Sequence, residues 1–483
     1  MIVSTPGFST RQRAFSRPAL LLALLAGCTV GPDYRSPQLA LPTTWSAEPT
    51  DGLAREPIHA ATDTAWWQQF GDPILDELVD RALHQNLDLR GSLMRLVATR
   101  AQLGIATAGR LPTVDANGSY NYRKESRNTP FGAFIPRTDV HSLSFDAAWE
   151  LDLWGRVQRS IEAADADLLA SNYDLQAAAL SVAAEVARTY VDLRASQRRL
   201  AIATENLQLQ QQTLALVEAR LSAGLVVERD VAQAATNVET TRSRLPQLEA
   251  AASMAFNRLA VLLGGTPQQL PESLRNAAPL PTLPEHIAVG GPADLLRRRP
   301  DVRSAERQFA AEVARIGMAE ADRYPTFAIS GQIGLAANDA GSVFTRGSDF
   351  RGFGPSLRWN LFDGGRLKHR IKSLEASAEA AQVYYEQTVL LAIEETENAM
   401  TNFARERVRR ASLVRAASQA RRAVDLAQTQ YREGLSDFQA VLDSERIAAT
   451  IDDDLASSDA AVATNLIALY KALGGGVVVT GEG

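Results

Sequence analysis

Apolar and polar positions alternate with a period of two in four stretches of the chain. Residues 142–152 place Leu143, Phe145, Ala147, Trp149 and Leu151 on one face, against Ser142, Ser144, Asp146, Glu150 and Asp152 on the other. Residues 114–122 set Val114, Ala116, Tyr120 and Tyr122 against Asp115, Asn117, Ser119 and Asn121. In the second half, Phe327, Ile329, Ile333 and Leu335 oppose Thr326, Ser330 and Gln332, and Phe353, Leu357, Trp359 and Leu361 oppose Ser356, Arg358 and Asn360. This period predicts strands near 114–126, 140–152, 326–337 and 350–362. Each is about ten residues long, the length of a tilted membrane-spanning strand. A half-buried soluble sheet alternates in the same way, so periodicity alone leaves the environment open. Pro355 predicts an edge, a bulge or a late start for the fourth strand.

Elsewhere the period changes to that of helices. Neither proline nor glycine occurs between Gly155 and Ala223, or between Gly365 and Glu433. Each stretch predicts a helix of about 70 residues, roughly 100 Å at 1.5 Å per residue, far beyond the usual globular length. Leu367, Ile371, Leu374, Ala378, Ala381, Tyr385 and Val389 step by fours and threes, a coiled-coil seam. Gly224 and Gly434 stand where a helix-ending glycine belongs. After the second, Ser436-Asp437-Phe438-Gln439 reads as a capping box. The predicted helices are 155–223, 227–263, 365–433 and 437–473.

The same order of elements occurs twice. Trp149-Glu150-Leu151 with Gly155-Arg156 recurs as Trp359-Asn360-Leu361 with Gly365-Arg366; Gly224-Leu225 recurs as Gly434-Leu435, and Leu263-Gly264-Gly265 as Leu473-Gly474-Gly475. These pairs share one offset of 210, whereas Arg110-Leu111-Pro112-Thr113 and Arg323-Tyr324-Pro325-Thr326 differ by 213. The slip predicts a three-residue length difference in the connections between strands. Four strands cannot close a membrane barrel, whose smallest versions have about eight, and an open edge in lipid is prohibitively costly. Strands that meet a membrane here must therefore be shared between chains: two copies give eight and three give twelve.

The N-terminus adds a destination. Arg11, Arg13 and Arg17 precede the apolar run Ala19–Ala26, which is too short to span a bilayer and ends at Leu25-Ala26-Gly27-Cys28. Cys28 is the only cysteine, and the pattern resembles a bacterial lipobox, implying acylation of Cys28. Acyl chains anchor at about 0.8 kcal/mol per buried methylene. Thr29, rather than an aspartate, follows the cysteine, which in lipoproteins favours delivery to the outer membrane. No later stretch holds enough consecutive apolar residues for a transmembrane helix. The balance of 50 basic and 56 acidic residues argues against a nucleic-acid partner. His59, His84, His141, His286 and His369 are scattered without metal-ligand spacing, and neither a phosphate-binding loop nor a nucleophile elbow occurs. No metal, cofactor or enzymatic activity is expected.

Cys28-Thr29-Val30-Gly31-Pro32-Asp33-Tyr34 and Trp66-Trp67-Gln68-Gln69-Phe70-Gly71-Asp72-Pro73, together with the duplication, resemble the TolC-like outer membrane factor family, in its lipoprotein branch. The resemblance implies a membrane α+β fold, a homotrimer in which each chain gives four strands to a twelve-stranded barrel and its long helices to a periplasmic α-helical barrel. The implied organisation is a signal peptide 1–27, an anchor and equatorial segment 28–72, a first repeat 73–265, a linker 266–291, a second repeat 292–475 and a tail 476–483. It further implies an exit duct of a tripartite efflux system, lipid-anchored in the outer membrane, working with a periplasmic adaptor and an inner-membrane transporter of the resistance–nodulation–division class. Two other readings stay open: the duct of a type I protein secretion system, and a periplasmic coiled-coil scaffold. By the same resemblance the hairpin turns Gly224-Leu225 and Gly434-Leu435 contact the adaptor, Asp443 forms an acidic ring at the periplasmic entrance, Arg432 makes restraining polar links, and Asp437 and Gln439 lie beside them. Three symmetry copies of Asp443 would repel one another, attract cations and tie closure to protonation or to partners. Ala440 and Gln439 depart from family variants with an acid or an apolar plug there, and the first repeat has Gln233 at the counterpart of Asp443. The run Asp452-Asp453-Asp454 reads as a solvated face.

Overall fold

The computed structural model describes residues 29–46, 53–54 and 65–477; Cys28, the preceding signal segment and residues 478–483 lie outside the described residues. In chain order the elements are β1 (Leu53–Ala54), a 3₁₀ turn (Trp66–Phe70), α1 (Pro73–Gln85), α2 (Leu87–Ala108), β2 (Thr113–Arg123), β3 (Thr138–Leu151), α3 (Arg156–Ser222), α4 (Glu228–Leu262), β4 (Ile287–Ala288), α5 (Pro292–Arg298), α6 (Pro300–Ala321), β5 (Thr326–Ala337), β6 (Asp349–Arg358), α7 (Arg366–Arg432) and α8 (Phe438–Ala472). Two compact units result.

The strand unit comprises residues 29–37, 98–169 and 307–383 of the described chain. Its sheet is antiparallel in the order β2-β3-β5-β6. The register makes the alternation continuous across strands: Asp115, Asp146 and Gln332 stand in one row, and Ala116, Phe145 and Ile333 in the next. One face is therefore polar, with Asn117 donating to Asp146 at 2.5 Å and the Ser119 and Ser142 hydroxyls 2.8 Å apart. The other is apolar except towards the strand connections, where Asp139, His141, Asp349 and Arg351 join it. Val114, Phe145, Ile333, Phe353 and Leu357 on it are all well exposed, Phe353 at 82%. No described part of the chain covers either face, whereas a soluble half-buried sheet has one face on a core. Pro355 pairs with Ile329 on β6, an edge strand within the chain, where its missing N–H is tolerated. The connection 124–137 is three residues longer than 338–348, as the slip in the repeat predicts. One expectation is corrected: β6 ends at Arg358, paired with Thr326, so Trp359 and Leu361 lie beyond it. The partner strand begins at Thr326, and the backbone ladder ends with it.

Tryptophans mark the end of the sheet where the helices attach. Trp149 Nε1 donates to the Arg110 carbonyl at 3.0 Å, and its counterpart Trp359 donates to the Arg323 carbonyl at 3.1 Å. Trp154 donates to the Pro325 carbonyl at 2.8 Å and stacks on Tyr324. An apolar ring with a satisfied polar handle suits a membrane interface.

The helical unit comprises residues 38–97, 170–306 and 384–483 as far as they are described. Its main core buries Trp66, Phe70, Leu75, Tyr190, Leu259, Met400, Phe403 and Leu466. The tryptophan-rich motif is explained by this packing. Trp66 is fully buried and stacks on Tyr470, Asp72 caps α1 by accepting from the Ile74 and Leu75 amides, and the Tyr190 hydroxyl donates to Asp72 at 2.7 Å. Burial pushes the Tyr190 phenol up to about 12. A short parallel pair, β1 with β4, adds to the unit. Helix α4 continues through Pro246, which lacks the amide for one helical bond.

Candidate functional site

All four hairpin helices of the helical unit end the same way. Gly224 and Gly434 adopt left-handed backbone (φ 69° and 73°), the amides of Leu225 and Leu435 reach back to the carbonyls of Arg220 and Gln430, and the glycine amides to Leu221 and Tyr431. This is the Schellman closure. The pattern repeats at Gly264-Gly265 and Gly474-Gly475. A Cβ at Gly224 or Gly434 would meet nothing, so conformation and not crowding calls for glycine there. Leu225 and Leu435 are left at the turns, 71% and 79% exposed.

Behind the turns, Val217 of α3, Ala234 of α4, Tyr431 of α7, and Phe438, Val441 and Leu442 of α8 form a small core of their own. Arg220 ties the two hairpins together. Its guanidinium lies 4.2 Å from the Tyr431 ring centroid and donates to the Arg432 carbonyl at 3.1 Å.

The sequence-predicted gate residues take the following places. Asp443 is partly exposed on α8, and its Oδ1 accepts from Gln439 Nε2 at 3.2 Å and Arg446 Nη2 at 3.1 Å. The three line a groove of about 320 Å³ with Arg229, Gln233 and Asn237 of α4, so Asp443 and its first-repeat counterpart Gln233 share one surface. Asp437 is the N-cap of α8, accepting from the Ala440 amide at 3.0 Å. The capping box expected from Ser436 does not form: the Ser436 hydroxyl turns to the Asp437 carbonyl and Gln439 to Asp443, because the aspartate one residue later accepts the amide as an anion. Arg432 is exposed, and among the described residues its side chain forms no ion pair.

Two features escaped the sequence reading. Glu445 is buried on α8, its Oε1 accepting from Thr213 of α3 at 2.7 Å and Gln428 of α7 at 3.0 Å, while Oε2 is buried without a partner. Burial raises its pKa, and the two hydrogen bonds oppose the shift. The signal was available: Phe438, Val441, Leu442, Glu445 and Ala448 form the buried stripe of the helix. The second is the aspartate run. It is not a free solvated face, since Asp453 makes a two-pronged pair with Arg199 of α3, Asp452 pairs with Arg421 of α7, and Asp454 lies 4.0 Å from Arg409. Three successive residues on a helix fan over about 200°, a little more than half a turn, and the arginines that meet them come from distant sequence.

The segment that follows Cys28 is built into the strand unit. The Val30 amide donates to the Trp154 carbonyl, and Gly31 (φ 90°) sits so close to Gly317 that a Cβ would lie 2.5 Å from its Cα. The buried Arg159 donates to the Val30 and Gly31 carbonyls and pairs with Asp33 and Glu162 at 2.7 Å each. The guanidinium beside Asp33 holds its carboxyl below the usual range. Tyr34 packs edge-on against Phe309.

Among the described residues no cluster could hold a metal ion, and no helix is long and apolar enough to cross a membrane. Comparison with known proteins matches residues 78–265 and 291–475 to the outer membrane efflux protein family, the same two halves as the internal repeat. Outer membrane protein OprJ of Pseudomonas aeruginosa is 32% identical over 477 residues, covering 96% of this chain and 97% of that protein. Nodulation protein T of Rhizobium leguminosarum bv. trifolii is 32% identical over 457 residues, covering 94% and 95%. The solved outer-membrane channel OprN superposes with a TM-score of 0.86 at 37% identity, over 93% of this chain and 99% of that one. Two matched halves, a four-stranded sheet with two exposed faces and long glycine-closed helical hairpins have one common explanation: the chain belongs to the outer membrane efflux protein family, with the fold of its channels, set in the outer membrane and reaching into the periplasm.

Proposed function

We propose that three copies form the exit duct of a tripartite efflux system, passing drugs or other toxic small molecules from a periplasmic adaptor and a resistance–nodulation–division transporter to the exterior. Each chain contributes β2, β3, β5 and β6 to one twelve-stranded barrel, anchored further by acylated Cys28. The observation that carries this reading is the sheet itself, polar on one face, apolar on the other, with β2 and β6 as its two edges. Its apolar face satisfies lipid, its polar face lines water, and the two edges are complementary positions for neighbouring copies. No catalysis is involved, and selection of the cargo rests with the transporter.

In the duct, Asp443 with Gln439 and Arg446 forms the narrow periplasmic entrance, and Arg432 and Asp437 stabilise its closed arrangement. Leu225 and Leu435, apolar and exposed on rigid turns, are the contact points for the adaptor. The test is single-channel recording of the purified protein in planar bilayers. The wild type is expected to conduct weakly and D443A strongly; absence of conductance in both would reject the duct.

A further inference from the structure

The connection between β2 and β3 differs from every other loop of the strand unit in its chemistry. It carries Lys124, Arg127 and Arg137 against a single acid, Glu125, which is bound at 2.6 Å to Arg123, the last residue of β2. Lys124, Arg127 and Arg137 form no ion pair among the described residues. Between them stand Phe131, Phe134 and Ile135, exposed by 77%, 86% and 51%. The loop is nonetheless folded. The Ser126 carbonyl accepts from the Thr129 amide and hydroxyl, the Thr129 carbonyl from the Gly132 amide, and the Phe131 carbonyl from the Phe134 amide. Gly132 is buried so tightly that a Cβ would lie 2.0 Å from the Ser126 oxygen. The turn forces Phe131 to φ 69°, and it is the one non-glycine residue at positive φ among the described residues. A bulky side chain held in a disfavoured backbone conformation, with its ring in the open, has no reward inside the chain. The matching β5–β6 connection, 338–348, has one acid, Asp339, and one base, Arg346.

The loop's position follows from connectivity. Helices α2, α3, α6 and α7 attach at the starts of β2 and β5 and the ends of β3 and β6, so both strand connections lie at the opposite end of the sheet. With the helices in the periplasm, that end faces the cell exterior. Tyr120 and Tyr122, exposed on the apolar face, lead directly into the loop.

We propose that the β2–β3 loop is a docking surface for the phosphorylated glycolipid (lipid A) of the outer leaflet. Phe131, Phe134 and Ile135 enter among the acyl chains, and Lys124, Arg127 and Arg137 engage the sugar phosphates. Charge complementarity favours this occupant: the loop offers three cations without protein partners beside an apolar cluster, and an acylated, phosphorylated sugar presents the opposite pair of features at one depth. The proposal rests on the membrane orientation of the duct reading.

The test uses the full-length trimer reconstituted into phosphatidylcholine vesicles without lipid A, with lipid A, or with lipid A stripped of its phosphates. F134C carries a polarity-sensitive dye, and conductance is recorded on the same preparation. The expected result is a blue shift of the dye with intact lipid A only, lost when R127E and R137E are combined. A conducting trimer whose dye emission is unchanged among the three vesicles would overturn the loop proposal alone. An equal shift with the stripped lipid would also overturn it, by removing the phosphates from recognition. Non-conducting monomers would overturn the duct reading and the loop's orientation with it.

Discussion

The two hairpin tips share a backbone and differ in chemistry. The closures at Gly224 and Gly434 use the same hydrogen bonds and the same left-handed glycine, and each leaves a leucine exposed. Beyond the turn the repeats part. The second has Asp437 as a side-chain cap, Asp443 on the surface and Glu445 in the interior; the first has Val227, with no side-chain cap, Gln233 and Ala235 at the counterpart positions. The duplicated part is the mechanical one, and the acids sit at different positions in the two copies: Glu228 and Asp230 in the first turn of α4, Asp437, Asp443 and Glu445 on α8 or at its cap. A threefold assembly of such chains would therefore alternate two acid patterns around its axis, with Asp443 in one and its neutral counterpart Gln233 in the other.

Substitutions at matched positions break that comparison or sharpen it. The largest effect is expected from D443A set beside Q233A: single-channel conductance rises several-fold in the first and stays near wild type in the second. Equal responses would mean that the tips are equivalent. Glu445 comes next. E445A strips Thr213 and Gln428 of a buried acceptor, at a cost of about 1–3 kcal/mol, whereas E445Q keeps an acceptor and removes the charge. Because burial raises the Glu445 pKa, the native tip holds its proton more tightly than the unfolded chain. Its contribution is thus fully present below the ordinary carboxyl range and is lost as pH rises through the raised value. Protection factors of the α8 amides, which divide out the base catalysis of exchange itself, should fall from acid to neutral pH in the wild type and lose this dependence in E445Q; an unaltered pH dependence of protection in E445Q contradicts the assignment.

Gly224→Ala and Gly434→Ala should cost about 1 kcal/mol each and alike, since both need positive φ and neither site is crowded. Local exchange at the two turns measures this, and a large inequality would show that one turn is held by contacts beyond its backbone. An effect of the same size belongs to the caps: D437A should lose roughly 0.5–2 kcal/mol of α8 stability, while V227D, which supplies the missing cap on α4, should gain a comparable amount in the same exchange measurement.

Much of this was legible before any coordinates. The strands follow from alternation because a sheet in lipid and water keeps each face chemically uniform, and the long helices follow from uninterrupted stretches bounded by glycine. The three-residue slip at Arg110 and Arg323 located the difference between the strand connections. Sequence failed where partners come from far along the chain. Asp452, Asp453 and Asp454 read as solvated until Arg421, Arg199 and Arg409 met them. Glu445 was passed over because an acid was not sought on an apolar stripe. The capping box was displaced by one residue, a competition between Ser436 and Asp437 that motif matching does not weigh. The end of β6 depended on where β5 began, a property of pairing and not of the strand's own alternation.

The central claim is that the exposed faces and edges of the four-stranded sheet are completed by other copies in lipid. Native mass spectrometry of the protein extracted and purified in detergent tests this most directly. The account predicts a particle of three chains that precipitates when the detergent is withdrawn; a single chain that stays dissolved in plain buffer would contradict it.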